Sequence, residues 1–137
     1  CALGTGQFCT RPGVSVVRAD DDGEAFVHAL ATRFEAGATG TLLGASGVTS
    51  IANALEVLRG HGASIVTGGT PVNNGRFSFA NTLLRVTGDA FLAHTEGLQT
   101  EAFGTVNMVV LARDVQQMVD IAAALDGHLT GAIYSDP

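Results

Sequence analysis

The stretch VNMVVLARDVQQMVDIAAALDGHLTGAIY, residues 106–134, carries the pattern that decides the fold. It begins with an apolar run, Val106 to Ala112, which is typical of a strand buried on both faces. A second apolar run, Leu129 to Tyr134, predicts another strand near its end.

A helix is predicted between these two runs. Asp114 and Gln117 have the side chains that open helices, and Asp126-Gly127 ends the pattern. Apolar residues at helical spacing, including Val115 and Val119, predict the buried stripe of this helix. A strand, a helix and a strand within about thirty residues form a βαβ unit. The sequence therefore predicts an α/β fold, an open and mainly parallel sheet with flanking helices.

The residues before this stretch predict three more strands and two more helices. Val14 to Arg18 is a short apolar run suited to a buried strand. An acidic run then opens a helix that ends at Gly37, and its Asp21 and Glu24 have the spacing of a capping box. The other predicted elements are a glycine- and serine-rich loop at 40–50, a helix at 50–60, a strand within 62–69, a turn at 73–75 and an extended strand at 77–87.

The composition excludes several classes of function. The 137 residues are one domain's worth, and 46% of them are hydrophobic, which is high for a free-standing domain. No apolar run is long enough for a membrane span, so we expect the surplus apolar surface to meet another domain or subunit, as in a homo-oligomer. A net charge of −6 without a basic cluster argues against nucleic acid and anionic membranes as partners.

The cysteine and histidine patterns indicate no metal. Two cysteines are too few for a disulfide framework or a zinc site, and no histidine pair has the spacing of metal ligands. Cys1 has no distinguishing context. A working thiol at Cys9 is best suited to a reducing compartment, so we expect a cytoplasmic protein.

Cys9 stands in Leu3-Gly4-Thr5-Gly6-Gln7-Phe8-Cys9-Thr10-Arg11-Pro12-Gly13. The glycines allow the backbone to approach a ligand closely, and Pro12 fixes the exit of the segment. Thr10 and Arg11 add polar and positive surroundings, which favour the thiolate. The alternative for an arbitrary cysteine is that it is buried and only packs.

Gly-Gln-Phe-Cys-Thr resembles the nucleophile segment of the aldehyde dehydrogenase superfamily. The following Arg-Pro-Gly is most similar to the branch that contains the ketoglutarate semialdehyde (2,5-dioxopentanoate) dehydrogenases. The resemblance implies that Cys9 is the catalytic nucleophile, with an aldehyde as substrate and 2-oxoglutarate semialdehyde as the candidate that the branch suggests.

A second motif, Glu101-Ala102-Phe103-Gly104, resembles the Glu-x-Phe-Gly-Pro of the same superfamily, at a comparable distance after the cysteine. The resemblance implies NAD or NADP as cofactor. Glu101 would accept hydrogen bonds from hydroxyls of the nicotinamide ribose, and Phe103 would pack beside the nicotinamide ring. The sequence departs from the pattern at Thr105, where proline is usual.

The resemblance also implies groups that we do not find in these residues. The carboxylate that activates water lies upstream of the cysteine in this superfamily, and no residue before Cys9 is acidic. We therefore expect 1–137 to be a partial catalytic domain without the dinucleotide-binding domain, inactive alone, whose partner is the remainder of a parent enzyme. Two alternatives stay open: a non-catalytic α/β structural or assembly domain, and a cysteine–histidine hydrolase.

Overall fold

The computed structural model describes residues 2–135, so Cys1 lies outside the described residues. A short turn at Leu3–Gly6, left-handed at its centre, comes first. The elements then follow as β1 (Val14–Arg18), α1 (Asp21–Ala36), α2 (Ala45–Gly60), β2 (Ser64–Thr67), β3 (Pro71–Val72), β4 (Ser78–Phe79), β5 (Thr82–Thr87), α3 (Gly88–Ala93), α4 (Thr95–Leu98), β6 (Val106–Ala112) and α5 (Val115–Ala124).

Four strands form one sheet in the order β1-β6-β5-β2, and β3 pairs with β4 in a separate ribbon. Both β1 and β5 run parallel to β6, with Val14 opposite Met108 and Thr82 opposite Val106. The edge strand β2 is antiparallel to β5. The predicted α/β class and mainly parallel sheet are confirmed.

The central strand β6 is buried along its whole length. Side chains of a strand alternate between the two faces of the sheet, so its two sets enter different cores. Val109 and Leu111 pack with Val27 and Phe34 of α1. The other set lies in a larger core on the opposite face, which contains Met108 and Val110 with buried residues of α2, α3, α4 and α5. This two-sided cover explains why β6 is apolar almost throughout.

The predicted strand at Leu129 to Tyr134 is wrong, because the segment after α5 contains no helix or strand within the described residues. Ile133 and Tyr134 are 95% and 94% exposed. An extended segment becomes a strand only where a neighbouring edge accepts its hydrogen bonds. This segment has instead one long bond to the sequence around Cys9, from the Thr130 hydroxyl to the Thr10 carbonyl at 3.5 Å.

The βαβ unit predicted for 106–134 is therefore not formed, because its first strand and its helix are present but its second strand, at 129–134, is not. Parallel pairing arises upstream, where the chain leaves β5, passes through α3 and α4, and returns as β6. The helices α3 and α4 were not predicted.

The stripe predicted for α5 is also wrong in part. Val115 and Val119 are 63% and 55% exposed, whereas Gln117 and Ile121 are buried. Gln117 is buried because its amide is bonded on both sides: its oxygen accepts from the Arg113 N–H and its nitrogen donates to Asp89. Gln117, with its hydrogen bonds satisfied, thus lies on the buried face of α5, where the apolar pattern predicted valines.

Two predicted boundaries need correction. Helix α2 begins at Ala45, inside the stretch predicted as a loop. The predicted strand at 77–87 is divided into β4 and β5 at Ala80 and Asn81. There the buried Asn81 amide donates to the carbonyls of Phe34 and Gly37, at 3.2 and 3.0 Å, and so joins the start of β5 to the end of α1.

The start of α1 differs from the predicted capping box. Its N-cap is Asp20, whose carboxylate accepts from the Gly23 N–H at 3.0 Å. Glu24 instead receives two hydrogen bonds from the Arg85 guanidinium of β5, at 3.0 and 2.5 Å. None of the helices formed by residues 2–135 combines the length and the apolar character that crossing a bilayer requires.

Candidate active site

Residues 3–13 are here called the nucleophile loop, after the role that the resemblance implies for Cys9. They precede β1 and begin with a left-handed turn. Gly4, Thr5 and Gly6 have φ values of 59°, 60° and 68°. Thr5 is the only residue other than glycine with a positive φ among residues 2–135. For a β-branched residue this conformation is strained, and such strain clusters at functional sites.

The left-handed turn brings Phe8 and Cys9 to the surface. The Phe8 ring lies against Gly4, so closely that a Cβ at Gly4 would collide with it, and Phe8 is 50% exposed. Cys9 follows as an exposed free thiol. The alternative of a buried cysteine that only packs is therefore excluded.

The nucleophile loop contacts residues 101–105, here called the Glu101 segment, which precede β6. The Arg11 guanidinium donates to the Val106 carbonyl at 2.6 Å and to the Ala102 carbonyl at 2.5 Å. Gly6 is packed against the Gly104 carbonyl, where any Cβ would collide. The two motifs found in the sequence thus lie side by side.

The sheet explains why these two motifs meet. β1 and β6 are parallel neighbours, so the residues that precede them lie at the same edge of the sheet. Two hydrogen bonds join the end of the nucleophile loop to the start of β6. The Asn107 amide donates to the Pro12 carbonyl at 3.1 Å, and the Met108 N–H donates to the Gly13 carbonyl at 2.9 Å.

Arg11 is the cationic group at the junction between the nucleophile loop and the Glu101 segment, and its side chain is partly buried. Burial lowers the pKa of Arg11 from its ordinary value, while the negative charge of Glu101 acts in the opposite direction. An arginine stays protonated in proteins. The junction therefore holds a cation close to the Glu101 carboxylate.

The Glu101 segment presents the two residues for which the resemblance implies a cofactor contact. Glu101 is exposed and Phe103 is 39% exposed, whereas Ala102 between them is buried. After Gly104 the chain makes a tight turn around Thr105, with a bond of 2.8 Å from the Val106 N–H to the Gly104 carbonyl. Thr105 thus forms a tight turn without the proline of the Glu-x-Phe-Gly-Pro pattern that this segment resembles.

A third segment, the glycine- and serine-rich stretch predicted as a loop at 40–50, also contacts the nucleophile loop. The Gln7 side-chain oxygen accepts from the Leu43 N–H at 3.0 Å, and Gly40 lies against the Thr5 side chain. Leu43 is 91% exposed beside this bond. No local sequence pattern predicts this contact, because Gln7 and Leu43 are 36 positions apart in the chain.

The described residues contain no group of three or more His, Cys, Asp or Glu side chains that could hold a metal ion. Their clearest histidine arrangement is a pair of rings, His61 and His94, whose centroids are 5.7 Å apart. Within residues 2–135 no hydrogen bond joins Cys9 to any histidine, so no cysteine–histidine pair is formed there.

The sequence model described as "Aldehyde dehydrogenase family" matches residues 2–137. The chain belongs to the aldehyde dehydrogenase family. This confirms the superfamily that the two motifs resemble.

Individual relatives agree with this assignment. The chain is 29% identical over 139 residues to alpha-ketoglutaric semialdehyde dehydrogenase 2 of Azospirillum brasilense, an alignment that covers 98% of this chain and 25% of that protein. The gamma-glutamyl-gamma-aminobutyraldehyde dehydrogenase of Burkholderia cenocepacia has a similar structure, with a TM-score of 0.71 and 27% identity over 86% of this chain and 25% of that one.

The fold is also that of succinic semialdehyde dehydrogenase from Streptococcus pyogenes, solved in complex with NADP⁺. The TM-score is 0.71 and the identity 20%, over 86% of this chain and 27% of that one. The chain thus spans about a quarter of the length of each of these three dehydrogenases.

Proposed function

We propose that the chain supplies the nucleophile and part of the cofactor site of an NAD(P)-dependent aldehyde dehydrogenase that oxidises a semialdehyde to the corresponding acid. The observation that carries the proposal is the junction between the nucleophile loop and the Glu101 segment, where an exposed thiol lies on the same sheet edge as an exposed carboxylate and an exposed aromatic ring. The semialdehyde dehydrogenases among the relatives support this substrate class.

Cys9 performs the covalent chemistry in this proposal. Its thiolate attacks the aldehyde carbon, a C–S bond forms, and the carbonyl electron pair moves to oxygen to give a thiohemiacetal oxyanion. When the oxyanion collapses, the hydrogen on that carbon leaves as hydride and a thioester remains. Water then breaks the C–S bond, which releases the acid and restores the thiol.

The residues of the Glu101 segment fit a bound dinucleotide. Glu101 is exposed and can accept hydrogen bonds from two adjacent ribose hydroxyls, while Phe103 offers a ring beside which a nicotinamide can pack. When bound, NAD(P)⁺ supplies the hydride acceptor of the reaction. The chain's own contribution is to hold the thiol and these contacts in one arrangement.

The remaining catalytic groups belong, in this proposal, to other parts of a parent enzyme. The Cys9 N–H has no acceptor among residues 2–135 and is one donor for the oxyanion. The water-activating carboxylate, a second oxyanion donor and the dinucleotide-binding domain complete the site from outside residues 1–137. We expect this parent enzyme to be a cytoplasmic homo-oligomer, and the exposed Val115 and Val119 of α5 suit a face covered by another domain or subunit.

The test is Cys9→Ser in the complete enzyme that contains this chain, with Cys1→Ser as the matched control. A hydroxyl is a much weaker nucleophile at neutral pH, so Cys9→Ser is expected to abolish aldehyde oxidation while dinucleotide binding persists. Cys1→Ser is expected to keep both properties. Near-normal turnover in the Cys9 variant would refute the proposal and favour a non-catalytic α/β domain.

A further inference from the structure

Arg11 binds main-chain carbonyls, whereas several other arginines of the chain form ion pairs with carboxylates. Both of its terminal nitrogens donate to main-chain carbonyls, those of Ala102 and Val106, which lie 91 and 95 positions further along the chain. These two carbonyls are at either end of Phe103, Gly104 and Thr105. The guanidinium therefore spans the turn that presents the cofactor contacts.

Most of the other arginines form ion pairs at the surface instead. Among the described residues, four of them pair with carboxylates on the surface: Arg18, Arg59, Arg85 and Arg113. Among residues 2–135, no carboxylate lies within ion-pair distance of Arg11, and its Nε is buried there without a hydrogen-bond partner. Partial burial of a cation against neutral carbonyls is unfavourable, as the lowered pKa of Arg11 reflects. Such an arrangement is poorly explained by stability alone.

We propose that Arg11 is a positioning residue, whose guanidinium sets the distance between the nucleophile loop and the Glu101 segment and thereby aligns the Cys9-bound substrate with the cofactor. The inference rests on the proposed roles of Cys9 and Glu101. Arg11 stands two residues after the thiol, and one of its acceptors, Ala102, lies between the two cofactor contacts.

The geometry predicts which step depends on Arg11. Hydride transfer requires the carbon on Cys9 and the acceptor ring to be aligned, and a misplacement of about 1 Å can reduce such a rate on the order of 10²-fold. Alkylation of Cys9 by a small reagent requires only an accessible thiol. A lysine keeps the charge of Arg11 but lacks the planar fork that reaches two carbonyls at once.

The experiment compares Arg11→Lys and Arg11→Ala with Arg85→Lys and Arg85→Ala in the complete enzyme. Arg85 is the matched control because its guanidinium also makes a two-pronged contact between distant elements, to Glu24, outside both site segments. The measurements are single-turnover NAD(P)H formation at saturating cofactor, the alkylation rate of Cys9, and the urea midpoint of unfolding. Peptide mapping after trypsin digestion cannot separate Cys1 from Cys9, because the chain has no lysine and trypsin does not cleave between Arg11 and Pro12. The alkylation of Cys9 is therefore measured in a Cys1→Ser background.

Both Arg11 variants are expected to lose hydride transfer on the order of 10²-fold while Cys9 alkylation stays close to that of the parent. Added guanidinium ion at low millimolar concentration should restore part of the rate in Arg11→Ala but not in Arg85→Ala. An equal concentration of sodium chloride should restore neither. If Arg11→Ala does not fold, the hydride-transfer rate of the conservative Arg11→Lys variant still tests the positioning role of Arg11.

The inference is overturned if Arg11→Lys transfers hydride at the parental rate, or if hydride transfer and alkylation fall together in proportion to lost folded protein. The nucleophile role in the proposed function is tested separately, by the turnover of Cys9→Ser. An inactive Cys9→Ser variant combined with an unaffected Arg11→Lys variant would remove the role of Arg11 and leave the role of Cys9 standing.

Discussion

Gly6 shows how narrow the tolerance of the site is at a single residue. Its φ of +68° is left-handed, and a Cβ there would collide with the Gly104 carbonyl. A side chain would have to displace the nucleophile loop from the Glu101 segment, because a backbone carbonyl cannot move aside as a flexible side chain can. The close approach of the two motifs thus requires glycine.

We expect Gly6→Ala to destabilise the fold more than Gly75→Ala does. Both glycines have a positive φ, but nothing lies within 4 Å of a Cβ at Gly75, so that variant reports the backbone strain alone. Because of the clash, Gly6→Ala should lower the free energy of unfolding by about 1–3 kcal/mol more than Gly75→Ala does. Urea denaturation of the two variants measures this difference, and equal losses would show that the packing against Gly104 is unimportant.

Glu101 gives a second prediction at this scale. Glu101→Gln keeps the shape and one acceptor but removes the charge, and a hydrogen bond to a charged group is worth about 1.5–3 kcal/mol. We expect weaker NAD(P) binding and slower hydride transfer, while Cys9 stays reactive towards an alkylating agent. Glu96→Gln, at another exposed carboxylate, is the control. Unchanged affinity and unchanged hydride transfer in Glu101→Gln would contradict the ribose contact.

At the scale of elements, the ion pair of Glu24 and Arg85 joins α1 to β5. The hydrogen bond from Arg85 lowers the pKa of Glu24 below its ordinary value. A carboxyl with a lowered pKa in the folded state stabilises that state above its unfolded-state pKa, roughly 4.3 for glutamate, and this contribution disappears as the pH falls through the lower folded value.

We therefore expect Glu24→Gln to be less stable than the parent at neutral pH and equally stable in acid. The pair is exposed, so the difference at neutral pH should be small and should decrease with added salt. Urea midpoints of both proteins, measured as a function of pH and salt, test this. Glu56→Gln is the control, because its ion pair with Arg59 lies within one helix. A stability difference that persists at low pH would assign another role to Glu24.

At the scale of the whole molecule, we expect the 137-residue chain alone to lack aldehyde dehydrogenase activity. It carries the proposed nucleophile and ribose contact, but in our proposal the water-activating carboxylate and the cofactor domain lie outside it. General base catalysis typically contributes about 10²–10⁴-fold, and without a held cofactor no hydride acceptor is in place.

The measurement is NAD(P)H formation by the purified chain with a short semialdehyde, at high protein concentration, beside its Cys9→Ser variant. Steady turnover above that variant would mean that residues 1–137 supply their own base and cofactor site. Size-exclusion chromatography of the same sample tests whether the exposed apolar face of α5 leads to self-association.

The family, the class of fold and most elements could be predicted from the sequence, because they depend on neighbours along the chain. The helical stripe of α2 is an example: Ile51, Leu55 and Leu58 recur on one face, and all are buried. The two motifs likewise carried the family resemblance without any coordinates, and the family match confirms it.

Long-range contacts decided the rest. Asn81 divides a predicted strand because its amide binds the end of α1, and Leu129 to Tyr134 remains outside the sheet because no described edge accepts its backbone. The contact of Arg11 with the Glu101 segment exists because β1 and β6 are parallel neighbours. Local patterns record which residues favour burial or extension. They do not record which strand edges meet, and only the packed sheet brings Cys9 and Glu101 to the same edge.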